Sequence, residues 1–199
     1  MRRVVGILLA AGSSRRFGSN KLLAPLADGT PLAVAAASRL IAAVPESIAV
    51  VRPGDVALAA LLAAQGLRII ECAEAEWGMG HSLAAGIAAA STADAWLIAL
   101  ADMPFIKAST ITGLAAQLYV GSPLIAPFHG GQRGHPVGFA SGLGAELLSS
   151  TGDAGAREIL ARHAEELARF DVNDPGILFD VDTPADLAAQ APRVSGLTS

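Results

Sequence analysis

The chain has 199 residues, of which 52% are hydrophobic and only 16% are charged, and its formal net charge at pH 7 is −4. This length predicts one domain, the composition is the reverse of that of a disordered chain, and the acidic balance argues against a nucleic-acid partner held by a basic surface. The single cysteine, Cys72, excludes an intramolecular disulfide and zinc sites built from cysteines.

Short β-type runs alternate with longer helical runs along the chain. Strands are predicted over 4–10, 47–51, 67–71, 95–100, 124–126, 137–140 and 168–172. Helices are predicted over 31–43, 56–65, 82–90, 109–118, 154–163 and 184–190. This alternation indicates βαβ units, and therefore an α/β domain with a mostly parallel central sheet covered on both faces. The domain is assigned to residues 1–191, and 192–199 is predicted to be a frayed tail.

The apolar runs are too short to cross a membrane. Mean hydropathy is +0.48, but the longest runs, such as 32–37 and 57–64, fall far short of the roughly 20 residues that a spanning helix needs. We therefore expect no membrane partner. A lone cysteine fits a reducing compartment, and we predict a cytoplasmic protein.

Ligands of parallel α/β sheets bind at the carboxyl ends of the strands. The loops that follow Ala10, Val51, Glu71 and Leu100 are therefore expected to meet at one edge of the sheet. These loops contain most of the residue types that phosphate and metal chemistry requires.

The loop after the first strand combines glycines with positive charge. Gly12 and Gly18 allow backbone N–H groups to line a concavity that suits an anion, and Arg15, Arg16 and Lys21 add cationic donors. These features predict a triphosphate site. The loop is not a Walker A motif, because arginines lie between its glycines and the lysine does not follow the second glycine directly. The alternative is a Gly/Ser turn with solvated charges.

Asp102 follows the hydrophobic strand 95–100 almost immediately. A carboxylate at the carboxyl end of a parallel strand is a suitable ligand for Mg²⁺, which prefers oxygen and keeps several waters. Pro104 restricts the backbone just beyond it. The alternative role of Asp102 is to cap the next helix.

A second acidic segment lies near the carboxyl terminus. In extended backbone, Asp180 and Asp182 point the same way, about 7 Å apart, and such a pair can bind a cation or orient its waters. The same segment is also typical of a helix start. Asp182 or Thr183 would then be a cap before Pro184.

Together these segments resemble one family. The patterns L-A-A-G-x-S-x-R-x-G-x-x-K at 9–21, A-D-M-P at 101–104 and D-x-D-T-P-x-D-L at 180–187 are similar to the MobA-like nucleotidyltransferases, as are W-G-M-G-H-S-L at 77–83 and G-Q-R-G-H-P-V-G-F at 131–139. The resemblance covers nearly the whole chain and is greatest to molybdenum cofactor cytidylyltransferases. It implies a single-domain, Rossmann-like three-layer fold. It also implies transfer of a nucleotide to a phosphorylated acceptor with release of pyrophosphate.

The resemblance also implies roles for individual residues. Nucleotide contacts are implied for Ala10, Ala11, Gly12, Ser14, Arg16, Lys21, Gly80 and Ser82. The implied catalytic residues are Arg16 and Lys21, which would hold the triphosphate, and Asp102, which would hold Mg²⁺ together with Asp182 or Asp180. The acceptor side is implied to consist of Arg133, Gly134, His135 and Pro136. The implied partners are a nucleoside triphosphate and a molybdopterin-type acceptor, with docking to a molybdoenzyme or its chaperone to pass on the product.

The nucleotide and the acceptor leave alternatives open. Guanylyltransferases of the family read L-A-G-G at the first loop, and the methyl group of Ala11 would crowd a purine, so we favour CTP. The alternatives are GTP, a phosphosugar or other phosphorylated acceptor, or a nicotinamide-dependent oxidoreductase on the same fold. A non-catalytic nucleotide sensor is a further alternative, but it would leave Asp102 and Asp182 without a task.

Overall fold

The strand Val4–Leu9 lies at the centre of the molecule because nearly all of its side chains are apolar and both of its faces are covered. The computed structural model describes residues 2–12, 17, 20–152 and 155–189. The strands are β1 Val4–Leu9, β2 Ser47–Val51, β3 Arg68–Glu71, β4 Ala95–Leu100, β5 Leu124–His129, β6 Gln132–Arg133, β7 Val137–Ala140 and β8 Ala168–Asp171. The helices are α1 Leu32–Ala43, α2 Val56–Ala64, α3 Met79–Ala89, α4 Ala108–Val120, α5 Gly144–Leu148, α6 Arg157–Arg162 and α7 Pro184–Ala189.

These strands form one sheet in the order β3-β2-β1-β4-β7-β5-β6, and β8 pairs with β5. The pairs β1–β2, β1–β4, β2–β3 and β5–β8 are parallel. The pairs that involve β6 or β7 are antiparallel. The predicted α/β class with a mostly parallel sheet is therefore confirmed.

Helices cover both faces of the sheet and produce two hydrophobic cores. Val4 and Leu8 of β1 pack on the face that carries α1, α2 and α4. Val5 and Ile7 pack on the opposite face with α3, α5 and α6. This alternation follows from the two-residue period of a strand, and it produces the three-layer arrangement.

The structure departs from the predicted elements where the chain is short or irregular. Strand β5 continues through Pro127 to His129 and turns into β6, whereas the sequence predicts a loop over 127–136. Helix α5 was not predicted, because five residues that begin with glycine carry too little periodicity. The predicted helix 154–163 is confirmed over Arg157–Arg162, and its first residue lies outside the described residues.

The domain boundary at 191 stays a prediction, and the proposed tail 192–199 lies outside the described residues. Among the residues that are described, no helix is long and apolar enough to cross a membrane.

Candidate active site

The carboxyl ends of the central strands meet at a cleft. Leu9 at the end of β1 pairs with Val50 of β2 on one side and with Leu100 of β4 on the other, so the three strands end level. The cleft has a volume of about 480 Å³, and its lining comes from every predicted loop: Leu9, Ala11, Gly12, Lys21, Leu22, Arg52, Ala75, Glu76, Gly78, Met79, Ser82, Leu100 and Asp102. The prediction that these loops share one edge is confirmed.

Lys21 lies on a short 3-10 turn at the floor of the cleft. The side chain of Asn20 caps this turn by accepting a hydrogen bond from the backbone N–H of Leu22. The Lys21 ammonium is buried and lies 2.9 Å from Asp102 Oδ2 and 3.0 Å from Asp182 Oδ1. Burial alone would lower the pKa of Lys21, but the two carboxylates outweigh it and leave that pKa above its ordinary value. Lys21 is therefore a charged group held between carboxylates.

Asp102 is fixed by the backbone at the end of β4. Its carbonyl accepts a hydrogen bond of 2.9 Å from the N–H of Val181, which brings the segment with Asp180 and Asp182 against the same strand end. One carboxylate oxygen, Oδ2, contacts Lys21. The other, Oδ1, is buried and has no hydrogen-bond partner within the described part of the chain. Burial raises the pKa of Asp102 above its ordinary range, although Lys21 opposes the effect, and Asp180 adds to it.

The three aspartates form a group that fits a divalent cation. One ligand oxygen from each of Asp102, Asp180 and Asp182 lies within 4.8 Å of the others. Hard cations prefer carboxylate oxygens, and the buried Asp102 Oδ1 is a polar atom that a cation would satisfy. The structure thus brings together the predicted metal ligands, which are separated by about 80 residues in the sequence.

Of the two residues that the sequence offers as a helix cap, Thr183 takes that role and the Asp182 side chain does not. Thr183 Oγ1 accepts a hydrogen bond from the N–H of Asp186, and Asp186 Oδ2 accepts in return from the N–H groups of Asp182 and Thr183. This reciprocal arrangement caps α7. The carboxylate of Asp182 therefore contacts Lys21 while Thr183 and Asp186 serve the helix.

The first loop contributes backbone to the cleft. Ala11 and Gly12 line it, and Ala10 is buried in the core beneath. Arg52 Nε donates a hydrogen bond of 2.7 Å to the carbonyl of Ala11, so a cation from the end of β2 holds the start of the loop. The predicted triphosphate contacts Ser14 and Arg16 lie outside the described residues.

The opposite wall is the turn into α3. Gly78 has φ of 125°, a conformation that favours glycine, and lines the cleft with Ser82. Gly80 packs away from the cleft lining, because its N–H donates to the carbonyl of Gly152 at 2.8 Å. A Cβ on Gly80 would lie 2.6 Å from the Thr151 carbonyl. Gly80 thus secures the segment 150–152 against α3.

The predicted acceptor residues lie on the other side of β4, between β6 and β7. The backbone N–H of His135 donates to the carbonyl of Ile177 at 3.0 Å, and the peptide bond to Pro136 is cis. Gly134 fits against the same carbonyl, where a Cβ would lie 2.2 Å away. Burial and the nearby Arg133 lower the pKa of His135 to about 4, against the influence of Asp180. His135 is therefore neutral at pH 7, and Arg133 is exposed.

Arg52, whose charge the sequence places within reach of the first loop, lines the cleft together with Leu22, Glu76 and Met79, which the sequence does not predict. Arg52 directly follows a predicted strand, and such positions are expected at this edge. The others belong to irregular turns, and no periodic pattern places their side chains.

The carboxyl edge of this Rossmann-like sheet, where ligands of such sheets bind, carries a buried lysine and three clustered carboxylates, which suit phosphate and divalent-cation chemistry. The profile of the MobA-like NTP transferase domain matches residues 6–167. This chain belongs to the MobA-like NTP transferase family.

Relatives with different named activities are similar in sequence to this chain. The chain is 33% identical over 193 residues to the nicotine blue oxidoreductase of Paenarthrobacter nicotinovorans, covering 90% of this chain and 92% of that protein. It is 33% identical over 195 residues to the molybdenum cofactor guanylyltransferase of Cereibacter sphaeroides, covering 94% of each. Among solved structures, Rv0371c of Mycobacterium tuberculosis matches with a TM-score of 0.82 at 24% identity, over 94% of this chain and 96% of that one. The last likeness concerns the fold alone.

Proposed function

We propose that this protein is a Mg²⁺-dependent nucleotidyltransferase that moves CMP from CTP to the phosphate of a molybdopterin-type cofactor and releases pyrophosphate. The observation that carries the proposal is the group formed by Lys21, Asp102 and Asp182 at the common end of β1 and β4. Family membership supports nucleotidyl transfer. The relative from Cereibacter sphaeroides, named a molybdenum cofactor guanylyltransferase, supports the acceptor.

The cleft has the length and charge distribution for a nucleoside triphosphate. The segment with Ala75 and Gly78 follows β3, while Asp102 follows β4. These strands are three spacings apart in the sheet, which is about 14 Å at about 4.8 Å per spacing. We place the base between Ala11 and the turn 75–79, and the phosphates between Gly12 and Asp102 with Lys21 and Arg16 as their cationic partners.

The chemistry requires positioning and charge neutralisation more than proton transfer. A phosphate monoester has a second pKa near 6, so the attacking oxygen of the acceptor is already ionised at pH 7. Mg²⁺, held by Asp102 and Asp182 with Asp180 beside them, would neutralise charge on the phosphates. Lys21 and Arg16 would bind and orient the triphosphate for in-line attack.

The acceptor would approach from the β7 side of β4. Because β4 lies between β1 and β7, Asp102 separates the nucleotide side of the edge from the side that carries Arg133 and His135. Arg133 is exposed, and its guanidinium can form bidentate hydrogen bonds with a phosphate. We assign the acceptor to Arg133, Gly134, His135 and Pro136. We predict that a molybdoenzyme or its chaperone docks on this acceptor side to collect the product.

The choice of CTP rests on Ala11. Ala11 is buried and lines the cleft, and the resemblance implies a glycine at the corresponding position of the family's guanylyltransferases. The methyl group takes space that a purine would use. In Ala11→Gly we expect the preference for CTP over GTP, measured by the ratio of kcat/KM, to fall at least about tenfold. An unchanged ratio would mean that Ala11 does not determine the choice between CTP and GTP.

The second candidate function is that of a nicotinamide-dependent oxidoreductase, and the similarity to the nicotine blue oxidoreductase supports it. A nicotinamide dinucleotide would need an anion site for its pyrophosphate, which the first loop also offers. It would not need three clustered carboxylates at the same edge. We therefore rank this activity second.

Thermal stabilisation by ligands separates the two candidates. A ligand present at 100 times its Kd adds about 2.7 kcal/mol to the free energy of unfolding, which a melting experiment resolves. CTP with Mg²⁺ should raise the Tm, and omission of Mg²⁺ should reduce the shift. A shift with NADPH and none with CTP or GTP would overturn the proposal.

A further inference from the structure

The Lys21 ammonium lies between two of the three clustered carboxylates. It lies 2.9 Å from Asp102 and 3.0 Å from Asp182, the two residues that the proposed function assigns to the metal. The side chain is nearly inaccessible to solvent, at 8% exposure. The Lys21 ammonium therefore already contacts carboxylate oxygens that a bound metal ion would use.

The charges of this group explain why the two cations interact. Three carboxylates and one ammonium leave a net charge of −2, and Asp102 Oδ1 is still without a hydrogen-bond partner among the described residues. A divalent ion would balance that charge. It would, however, lie within a few ångströms of the Lys21 ammonium and compete with it for carboxylate oxygens in a site of reduced dielectric constant.

A bound triphosphate offers Lys21 another partner. Lys21 and Gly12 line the same cleft, so the phosphates proposed between Gly12 and Asp102 would lie beside the lysine. The four-carbon stem of lysine lets its ammonium move by several ångströms while the backbone stays in place. When Lys21 turns toward the phosphates, Asp102 and Asp182 lose their compensating charge and become better metal ligands.

We infer that Lys21 acts as a counter-ion that keeps the affinity of the empty site for divalent metal low, so that metal and nucleoside triphosphate bind cooperatively. The inference rests on the proposed function, because it takes the metal ligands and the triphosphate position from it. It adds a role for Lys21 in the nucleotide-free protein. The role is the opposite of a metal-supporting one, since removing the charge should tighten metal binding.

Direct binding of Mn²⁺ to the nucleotide-free protein tests the inference, measured by the electron paramagnetic resonance signal of the free ion. The variant Lys21→Met should bind Mn²⁺ at least tenfold more tightly than the unmodified protein, and Lys21→Gln should do the same if the methionine variant folds poorly. Lys21→Arg, which keeps the charge, should bind no more tightly than the unmodified protein. Equal or weaker Mn²⁺ binding by folded Lys21→Met or Lys21→Gln would overturn the inference.

The chain contains one other lysine, which is a matched control. Lys107 donates a hydrogen bond to the carbonyl of Asn173, outside the cleft. Lys107→Met makes the same change in net charge and should leave Mn²⁺ affinity unchanged. A similar increase in Mn²⁺ affinity in Lys21→Met and Lys107→Met would mean that net charge alone causes the effect, and it would overturn the inference.

A further variant separates this inference from the proposed function. Asp102→Asn should abolish Mn²⁺ binding by the protein in the absence of CTP. If it does and Lys21→Met still fails to tighten binding, the inference alone is wrong. If Asp102→Asn leaves Mn²⁺ binding intact, the proposed metal site itself is wrong.

Discussion

Two aspartates in this protein have opposite surroundings, since Asp174 is buried and Asp102 is half-buried at the cleft. Asp174 accepts hydrogen bonds from the Thr110 hydroxyl, from the backbone N–H of Lys107 and from the backbone N–H of Gly176, so both of its oxygens are satisfied. Asp102 contacts Lys21 through one oxygen and leaves the other, Oδ1, without a partner in the described structure.

The difference separates a structural carboxylate from a functional one. Asp174 joins the turn Pro175–Leu178 to the first turn of α4, and the hydrogen bonds compensate the cost of burying its charge. Asp102 is half-buried, its inaccessible Oδ1 has no partner in the described structure, and burial raises its pKa. Uncompensated burial is retained at sites where a ligand supplies the missing partner. The same substitution at both positions is therefore expected to have different consequences.

Asp102→Asn should affect activity most. Loss of the proposed metal ligand is expected to lower kcat/KM for nucleotidyl transfer at least about 10³-fold, equivalent to about 4 kcal/mol of transition-state stabilisation. The free energy of unfolding should change by less than about 1 kcal/mol, because a poorly compensated charge is removed. Steady-state kinetics and urea unfolding measure the two effects. Near-normal turnover in this variant would refute the catalytic assignment of Asp102.

Asp174→Asn should have the opposite profile. An amide group cannot accept from all three donors, so the free energy of unfolding should fall by about 3 kcal/mol. The folded fraction should keep its kcat/KM, since Asp174 lies outside the cleft lining. Urea unfolding and kinetics at low temperature would check both. A loss of activity larger than the loss of folded protein would assign Asp174 to the site.

Thr110→Val sharpens the comparison by removing one of the three donors. The hydroxyl lies 2.6 Å from Asp174 Oδ2, and the isosteric valine removes only this hydrogen bond. We expect the free energy of unfolding to fall by about 1–2 kcal/mol. Thr112→Val is the matched control on the exposed side of the same helix, with an expected change within about 0.5 kcal/mol. Equal effects would mean that the Asp174 hydrogen bond contributes nothing.

The smallest expected effect, on thermal stability, concerns His163, which contacts the carboxylates of Glu146 and Glu166. Hydrogen bonds to Glu166 and Glu146 raise the pKa of His163 above its ordinary 6.5. A folded pKa above the unfolded one means that stability is gained below pH 6.5 and lost as the pH rises through the folded pKa. His163→Gln should therefore lower the Tm slightly at pH 5.5 and less at pH 9. A Tm difference that grows with pH would contradict this.

The sequence predicts the parts of the site that lie on regular elements. Asp102 follows an apolar strand, and Asp180 and Asp182 lie in a recognisable segment, so their residue types and strand ends were sufficient to select them. The partner of Lys21 could not be predicted, since a lysine near glycines fits phosphate and carboxylate equally well. The pairing depends on the hydrogen bond between Val181 and Asp102, which holds the two acidic segments together.

Irregular backbone accounts for most of what the sequence did not predict. The contact of Gly80 with Thr151 and that of Gly134 with Ile177 depend on close approach of segments that are distant in the sequence. The extension of β5 through Pro127 depends on its pairing with β8, which a local pattern does not contain. The predicted roles of Gly80 and Gly134 thus rested on resemblance, and the structure adds a packing reason for each glycine.

Pyrophosphate release tests the central claim most directly. Purified protein would be incubated with CTP, Mg²⁺ and molybdenum cofactor, with GTP and NADPH in parallel reactions and Asp102→Asn as the inactive control. We predict pyrophosphate release with CTP that depends on cofactor and Mg²⁺, equals the CMP incorporated and is lost in Asp102→Asn. Oxidation of NADPH with no pyrophosphate from either triphosphate would contradict the account.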